Sequence, residues 1–146
     1  MRSRLASEPV FIDTNIPMYW AGADSPYKSS CGAVLSAIES GELKAVTDTE
    51  VFQEILHRYT SIRKMEIARQ VFDDLYDMMD AVLPVTEDDI RLARQLHEIY
   101  DVRARDLVHV AVMLNAGITD ICSVDSHFDQ IGGIRRIDPR RYGAGG

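Results

Sequence analysis

Short runs of β-branched and other apolar residues alternate with longer amphipathic segments along almost the whole chain. The runs that we expect to form strands are 9–12, 43–46, 81–85, 121–124 and 134–137. The segments between them carry apolar residues every three to four positions, the spacing of one helix face. This alternation is typical of α/β proteins, in which helices connect parallel strands. We therefore predict a three-layer α/β/α fold with a central, mainly parallel sheet.

Local signals set where several of the predicted helices begin and end. A helix from about 25 to 40 begins at Ser25-Pro26, a serine cap followed by a first-turn proline, and stops at Gly41. Another helix follows Thr47-Asp48, either of which can cap it. Further helices are expected at 64–80, 88–100 and 105–116. The last of these is apolar nearly all round, which predicts that it is buried.

The chain is predicted to be a single domain spanning 1–146, with a core of about 9–139 and flexible ends that include Gly143–Gly146. Its 146 residues, 46% of them hydrophobic, are enough to bury a core, and they exclude a largely disordered chain. No internal repeat or linker divides the sequence.

The sequence predicts a cytoplasmic location without a membrane segment. No apolar run approaches the roughly 18 residues that cross a bilayer. The first twelve residues contain no long apolar segment or small-residue cleavage site of a secretion signal. Cys31 and Cys122 have no metal-ligand spacing, and we expect them to be reduced thiols in the core.

The net charge of −7 at first argues against a nucleic-acid partner, because phosphate binding favours basic surfaces. However, the segment 71–90 contains seven acidic and no basic residues, as expected of a solvated acidic lobe. In addition, 13 of the 16 basic residues are arginine, which suits bidentate phosphate contacts. The charge therefore permits a nucleic-acid substrate without requiring one.

Four acidic residues fall where an open parallel sheet binds its ligands, beyond the carboxyl ends of the strands. Asp13 and Asp125 directly follow two of the predicted strands. Glu54 lies about two turns into the helix after the second strand, and Asp106 lies in the first turn of the buried helix. Taken singly, the aspartates are compatible with turns or helix caps, and Glu54 with a helical ion pair to Arg58.

Taken together, these carboxylates predict a metal site, because acids gathered in one cleft raise one another's pKa unless a cation neutralises them. An oxygen-only set favours Mg²⁺ or Mn²⁺ over zinc, and no Cys or His is placed in the sequence to complete a zinc site. Such an ion activates water for the hydrolysis of a phosphodiester, leaving a 5′-phosphate. Asp13 and Asp106 are the best candidates for direct ligands. Whether one ion or two take part stays open.

The stretches FIDTN, VFQEILHRY, RARDLVHVAVMLNAGI and ICSVDSHFDQI resemble the four sequence blocks of PIN-domain nucleases. Their order and spacing are those of the small VapC-type toxins of toxin–antitoxin pairs, and the resemblance covers 10–139. It implies a PIN-like fold and a Mg²⁺- or Mn²⁺-dependent endoribonuclease. It also implies an RNA substrate, a cognate antitoxin protein as partner and, commonly, a homodimer.

The resemblance assigns roles to eight residues of this chain. The acidic residues that match metal-holding positions are Asp13, Glu54, Asp106 and Asp125. Asp129 matches a further acid of many family members, and Thr14, Asn15 and Ser123 match polar residues that support the site. Asp125 is expected to bind through water or to hold a second ion, whereas Glu54 is expected to position or deprotonate the attacking water. Without these five acids, 18 acidic residues remain against 16 basic ones, so much of the negative charge belongs to the site.

Other functions fit the sequence less well. A metal-free acid–base ribonuclease would need paired histidines, and the four present, His57, His97, His109 and His127, fall in separate helical segments. We interpret His109 as a hydrogen-bonded core residue. A receiver domain needs a late lysine, and none follows Lys64, while a haloacid-dehalogenase phosphatase needs a second Asp where Asn15 stands. The remaining alternative is a PIN-like domain without catalysis that serves as an RNA- or protein-binding scaffold.

The sequence allows more than one role for two sets of apolar residues. Tyr19, Trp20 and Tyr27 lie near the predicted cleft, where they suit stacking on unpaired bases or equally core or dimer contacts. The stripe 67–79 suits ordinary core, a dimer face or a groove for an antitoxin helix.

Overall fold

The computed structural model describes residues 8–143, and these form an α/β/α sandwich. The strands are β1 (Val10–Ile12), β2 (Ala45–Asp48), β3 (Ala81–Leu83), β4 (Asp120–Cys122) and β5 (Arg135–Ile137). The α-helices of the described part are α1 (Asn15–Ala21), α2 (Lys28–Glu39), α3 (Thr49–Ser61), α4 (Met65–Met78), α5 (Glu87–Ile99), α6 (Ala104–Ala116) and α7 (Arg140–Gly143). A 3₁₀-helix covers Ser126–Gln130.

All the strand pairs are parallel, and the order across the sheet is β3-β2-β1-β4-β5. The predicted parallel α/β/α fold is therefore confirmed. The chain first builds β1, β2 and β3 towards one edge, then returns to the other side of β1 for β4 and β5. The reversal of direction lies between β1 and β4, where Phe11 pairs with Ile121. Ligands of open α/β sheets bind at such a reversal, beyond the carboxyl ends of the strands.

Alternate side chains of β1 bury on opposite faces of the sheet. Phe11 joins a large apolar cluster with residues of α3, α4, α5 and α6. Val10 and Ile12 join a second cluster with residues of α1 and α2. Because both faces are covered, all three residues of β1 are buried, as is usual for a central parallel strand.

Helix caps fix the segments that carry the acidic residues. Asp48 caps α3, accepting a hydrogen bond of 3.0 Å from the backbone N–H of Val51. Thr86 and Asp89 form a reciprocal capping box at the start of α5. Gly117 ends α6 in the left-handed conformation, with φ of 75°. Asp48 is one of the two caps that the sequence offered for α3, and Gly117 directly follows the helix predicted at 105–116.

Several boundaries differ from the predictions. Helix α1 was not predicted, because it is only 7 residues long and contains Pro17. The helix expected from 25 begins at Lys28, after a turn in which Ser25 Oγ accepts from the Tyr27 N–H at 3.2 Å. The second strand lies two residues later than expected, and the fourth ends at Cys122. Gly143 closes α7, whereas 144–146 of the predicted flexible end lie outside the described residues.

Both cysteines lie in the second apolar cluster with free thiols, as expected for reduced core residues. Burial raises the pKa of the Cys31 thiol to about 12, so it stays protonated and unreactive. None of the helices in 8–143 is long and apolar enough to cross a membrane.

Candidate metal centre

Four acidic side chains converge beyond the carboxyl ends of the central strands. Asp13 follows β1 and Asp125 follows β4, so they flank the reversal in strand order. Glu54 reaches the same place from α3, and Asp106 from the first turn of α6. They line a cleft of about 60 Å³ together with Thr14, Asn15, Arg58, Arg103 and Arg105. The structure thus brings together the four acids that the sequence singled out.

Asp13 is the most firmly held of the four. One carboxylate oxygen accepts from the Thr14 backbone N–H at 2.8 Å. The other accepts from Ser123 Oγ at 2.6 Å and from Asn15 Nδ2 at 3.2 Å. Asn15 is itself tied to the loop after β4, through Ser123 Oγ at 3.1 Å and the Val124 N–H at 3.3 Å. The expected supporting residues therefore contact Asp13 and fix its orientation.

Each carboxylate oxygen of Glu54 has a partner. Its Oε1 accepts a hydrogen bond of 2.9 Å from Thr14 Oγ1. Its Oε2 lies 3.3 Å from Arg58 Nη1, which is the helical ion pair considered in the sequence analysis. The pair does not place Glu54 on the surface, because the residue is buried with 8% relative exposure and lines the cleft. Arg58 instead brings a cation to the rim.

Asp125 and Asp129 occupy different surroundings. The Asp125 backbone N–H donates to Ser123 Oγ at 3.0 Å, and its carboxylate lies 2.8 Å from His127 Nδ1. Asp129 is exposed on the 3₁₀-helix, where both its oxygens pair with the Arg136 guanidinium at 2.9 and 3.2 Å. Among the described residues that line the cleft, Asp129 is absent. The structure therefore does not bring this fifth acid together with the other four.

A buried histidine stands beside the acids and was not expected there. His109 is fully buried on α6, one turn after Asp106, and its Nδ1 lies 2.7 Å from Asp48 Oδ2. Its Nε2 has no hydrogen-bond partner among the described residues and lies 4.0 Å from Glu54 Oε1. One ligand atom each of Asp13, Asp106 and His109 lie within 4.8 Å of one another.

The sequence analysis was right that His109 is a hydrogen-bonded core residue but missed that its second nitrogen lies beside the acids. The spacing of three residues from Asp106 was the available signal, since residues i and i+3 share a helix face. Asp48 was predicted only as a helix cap, and nothing in the sequence pairs it with His109 across 61 positions. His127 forms a second, more exposed group with Asp106 and Asp125.

The electrostatics of the cleft reflect crowded carboxylates. Burial raises the pKa of Asp13, and the charge of Glu54 adds to this effect. Burial and the charge of Asp13 raise the pKa of Asp106 to about 6. Burial opposes protonation of His109, but Asp48, Asp13 and Asp106 outweigh it and raise its pKa to about 9. The cleft therefore favours the binding of positive charge.

The metal-free protein is expected to lose stability as the pH rises from about 4 to about 7. The folded-state pKa of Asp106, about 6, lies above the ordinary 3.8, so between these values the folded state holds a proton that the unfolded state has lost. Raising the pH removes that proton and lowers the free energy of unfolding. Urea unfolding in EDTA across this range measures the slope. Asp106→Asn should make it shallower, and an unchanged slope would contradict the assignment.

The aromatic residues near the cleft separate into two groups. Tyr19 lines a pocket of about 500 Å³ that adjoins the cleft, together with Asn15, Met18, Arg58, Arg103, Val124 and Asp125. Tyr27 packs against Tyr19, with ring centroids 5.3 Å apart. Trp20 instead lines an apolar groove of about 290 Å³, between α1, α2 and α4. Three residues of the predicted apolar stripe line this groove: Ile67 is exposed, whereas Val71 and Leu75 are buried in the core.

Comparisons with known proteins identify the family of this chain. The sequence model of the PIN domain family matches residues 10–134. Ribonuclease VapC13 of Mycobacterium tuberculosis is 40% identical over 129 residues, which are 88% of this chain and 98% of VapC13. Ribonuclease VapC23 of the same organism is 30% identical over 117 residues, 80% of this chain and 92% of VapC23.

A solved structure supports the fold. The crystal structure of M. tuberculosis VapC20, a toxin that cleaves the sarcin-ricin loop, superposes with a TM-score of 0.69 at 18% identity. The match covers 84% of this chain and 95% of VapC20. At this identity the likeness speaks for the fold alone.

Proposed function

The chain belongs to the PIN-domain family, and on that basis we propose that it is a metal-dependent endoribonuclease of the VapC type. In this proposal it hydrolyses phosphodiester bonds of RNA and acts as the toxin of a toxin–antitoxin pair. Its relatives VapC13 and VapC23 are named as ribonucleases, and each matches over most of its own length.

The observation that carries the proposal is the convergence of Asp13, Glu54, Asp106 and Asp125 in one cleft. The oxygen donors of these side chains suit a hard divalent cation. The crowding that raises the pKa of Asp13 and Asp106 is relieved when a cation is bound there. A non-catalytic scaffold would have no need of the complete set. We propose Mg²⁺ or Mn²⁺ as the ion.

Each residue of the cleft has a role in this proposal. Asp13 and Asp106 hold the ion, and Thr14, Asn15 and Ser123 keep the Asp13 carboxylate in place. When bound, the ion supplies an acidified water and stabilises charge on the phosphate oxygens. Glu54, held by Thr14 and Arg58, orients the attacking water and accepts its proton. Asp125 contributes through water or a second ion, and Asp129 acts indirectly, through Arg136.

The substrate side of the cleft carries cations and an aromatic ring. Arg58, Arg103 and Arg105 line the cleft and suit contacts with the phosphates on either side of the cut bond. Tyr19, in the adjoining pocket, suits stacking on an unpaired base. These groups weaken the objection from the net charge of −7, since three arginines lie where RNA would bind.

The proposed protein partner is argued from the family and from the apolar groove that Trp20 lines. Structures that superpose on this chain include a DNA-bound VapBC complex from Salmonella typhimurium, with a TM-score of 0.70 at 14% identity. We propose that this chain also binds a cognate antitoxin protein, and that the apolar groove lined by Trp20, Ile67 and Met78 is available for a helix. A homodimer and a cytoplasmic location complete the proposal, the latter consistent with two free buried thiols.

Incubating the purified protein with a panel of RNAs tests the proposed function. The panel holds transfer RNA, a ribosomal RNA loop and a messenger RNA, each with Mg²⁺ or Mn²⁺. We expect internal cuts in at least one RNA, with a 5′-phosphate on the downstream fragment, because water attacks phosphorus and the 3′-oxygen leaves. End-group analysis of the fragments reads this out. A 2′,3′-cyclic phosphate would indicate metal-free acid–base chemistry instead. RNA binding without any cut would favour the non-catalytic scaffold.

A further inference from the structure

His109 is held in one orientation by a buried carboxylate. Its ring is 0% exposed, and its Nδ1 lies 2.7 Å from Oδ2 of Asp48, which is also 0% exposed. Asp48 is fixed in turn, because its Oδ1 caps α3 by accepting from the Val51 N–H at 3.0 Å. The carboxylate accepts the proton on Nδ1, so Nε2 is the ring nitrogen that remains to bind an ion.

The Nε2 atom points into the acidic cluster without a partner. It is buried, has no hydrogen bond among the described residues and lies 4.0 Å from Glu54 Oε1. An unpartnered nitrogen in the interior is unfavourable, and native proteins give such atoms a partner. Asp13, Asp106 and His109 each offer one ligand atom, and these three atoms all lie within 4.8 Å of one another. One cation bridging the group would supply the missing partner.

We propose that His109 Nε2 is a direct ligand of the ion that Asp13 and Asp106 hold, with Asp48 as the residue that orients the ring. This inference rests on the proposed metal-dependent function and extends it to the identity of the ion. A carboxylate that accepts from the free N–H of a ligating histidine is a recurrent arrangement in metal sites. The Asp48–His109 pair has this form.

A site made of two carboxylates and one imidazole binds some divalent ions more tightly than others. Mg²⁺ is held through oxygen and keeps several waters, whereas imidazole nitrogen is typical of transition-metal sites. The site therefore prefers a first-row transition ion, such as Mn²⁺, over Mg²⁺.

Pulsed electron paramagnetic resonance of the full chain loaded with Mn²⁺ at pH 8 tests the proposal. We expect nitrogen modulation from a directly bound imidazole in the wild type, and its loss in His109→Gln. The matched control is His127→Gln, which removes the other histidine near the acids and should keep the signal. If His109→Gln fails to fold, protein labelled with ¹⁵N-histidine answers the same question, because the label changes the coupling only of a ligating ring.

Calorimetric titration with MnCl₂ and MgCl₂ supplies a second measurement. His109→Gln should weaken Mn²⁺ binding about tenfold or more and Mg²⁺ binding less, so the preference for Mn²⁺ falls. Asp48→Asn should weaken Mn²⁺ binding by about 10- to 100-fold, the usual effect of losing the partner of a ligating histidine. Equal weakening of both ions would overturn the proposed selectivity.

The outcomes separate this inference from the proposed function. Bound Mn²⁺ without nitrogen modulation in an enzyme that still cleaves RNA would overturn the histidine ligand and leave the ribonuclease standing. A signal that survives in His109→Gln but vanishes in His127→Gln would also overturn it. A protein that binds neither ion and cuts no RNA would contradict the proposed function itself.

Discussion

Replacing Asp13 with Asn is expected to lower RNA cleavage by about a thousandfold or more while leaving the fold intact. The substitution keeps the size of the side chain but removes the charge of a proposed ion ligand. A catalytic metal contributes several kcal/mol of transition-state stabilisation, and each 1.36 kcal/mol is about tenfold in rate. Initial cleavage rates at saturating Mn²⁺, on the RNA that the wild type cuts best, measure the effect.

The same substitution should not destabilise the metal-free protein. Asp13 is buried, and burial raises the pKa of its carboxyl, which means that the charged form is disfavoured in the folded state. A neutral amide avoids that penalty. Against this gain, the NH₂ group of the amide cannot accept the hydrogen bonds that one carboxylate oxygen accepts in the wild type. Thermal unfolding in EDTA should therefore show a variant about as stable as the wild type, with an unchanged far-ultraviolet circular dichroism spectrum. Asp106→Asn should behave in the same way.

Asp73→Asn is the matched control, because Asp73 is an exposed aspartate on α4 outside the cleft. It loses the same charge and should cleave RNA at the wild-type rate. Full activity in purified Asp13→Asn or Asp106→Asn would remove these residues from the proposed ion site. A loss of activity in Asp73→Asn as well would show that net charge, rather than the cleft, governs cleavage.

The fold was predictable because its signals are local. Apolar residues that recur every three to four positions predict α3 to α6. Capping residues such as Thr86 and Gly117 mark helix ends. The position of Asp13 at the edge of the sheet followed from a strand that ends directly before it. The short helix α1 was not predicted, because it has only 7 residues and no full apolar stripe.

The contacts that define the site were less predictable, because they join residues distant in sequence. Glu54 was considered either a ligand or a partner of Arg58, and in the structure it both lines the cleft and pairs with Arg58. The Asp48–His109 pair depends on how α6 packs beside β2, which no local pattern encodes. Asp129 matched a family position, yet it pairs with Arg136 of β5. Side-chain pairing between elements is decided by packing, which the sequence alone did not specify.

Removing divalent ions with EDTA is expected to abolish RNA cleavage, and added Mn²⁺ should restore it. Without an ion, the four acids of the cleft repel the phosphate, and none of the residues that line it acidifies water as a bound metal does. A ribonuclease that used His57, His97, His109 and His127 as acid and base would keep working in EDTA. Cleavage rates before chelation, after it and after adding back Mn²⁺, Mg²⁺ or Ca²⁺ distinguish the two chemistries.

Ion removal should also change stability, which ties the activity to this site. An ion that binds only the folded state raises the free energy of unfolding by about 2.7 kcal/mol when present at 100 times its dissociation constant. For a chain of this size that corresponds to a rise of about 5 to 10 °C in the melting temperature. In Asp13→Asn the rise should largely disappear, because the variant loses a ligand and the repulsion that the ion relieves. Wild-type protein that cleaves RNA in EDTA, or an Asp13→Asn variant that Mn²⁺ stabilises as strongly as the wild type, would contradict an ion held by Asp13.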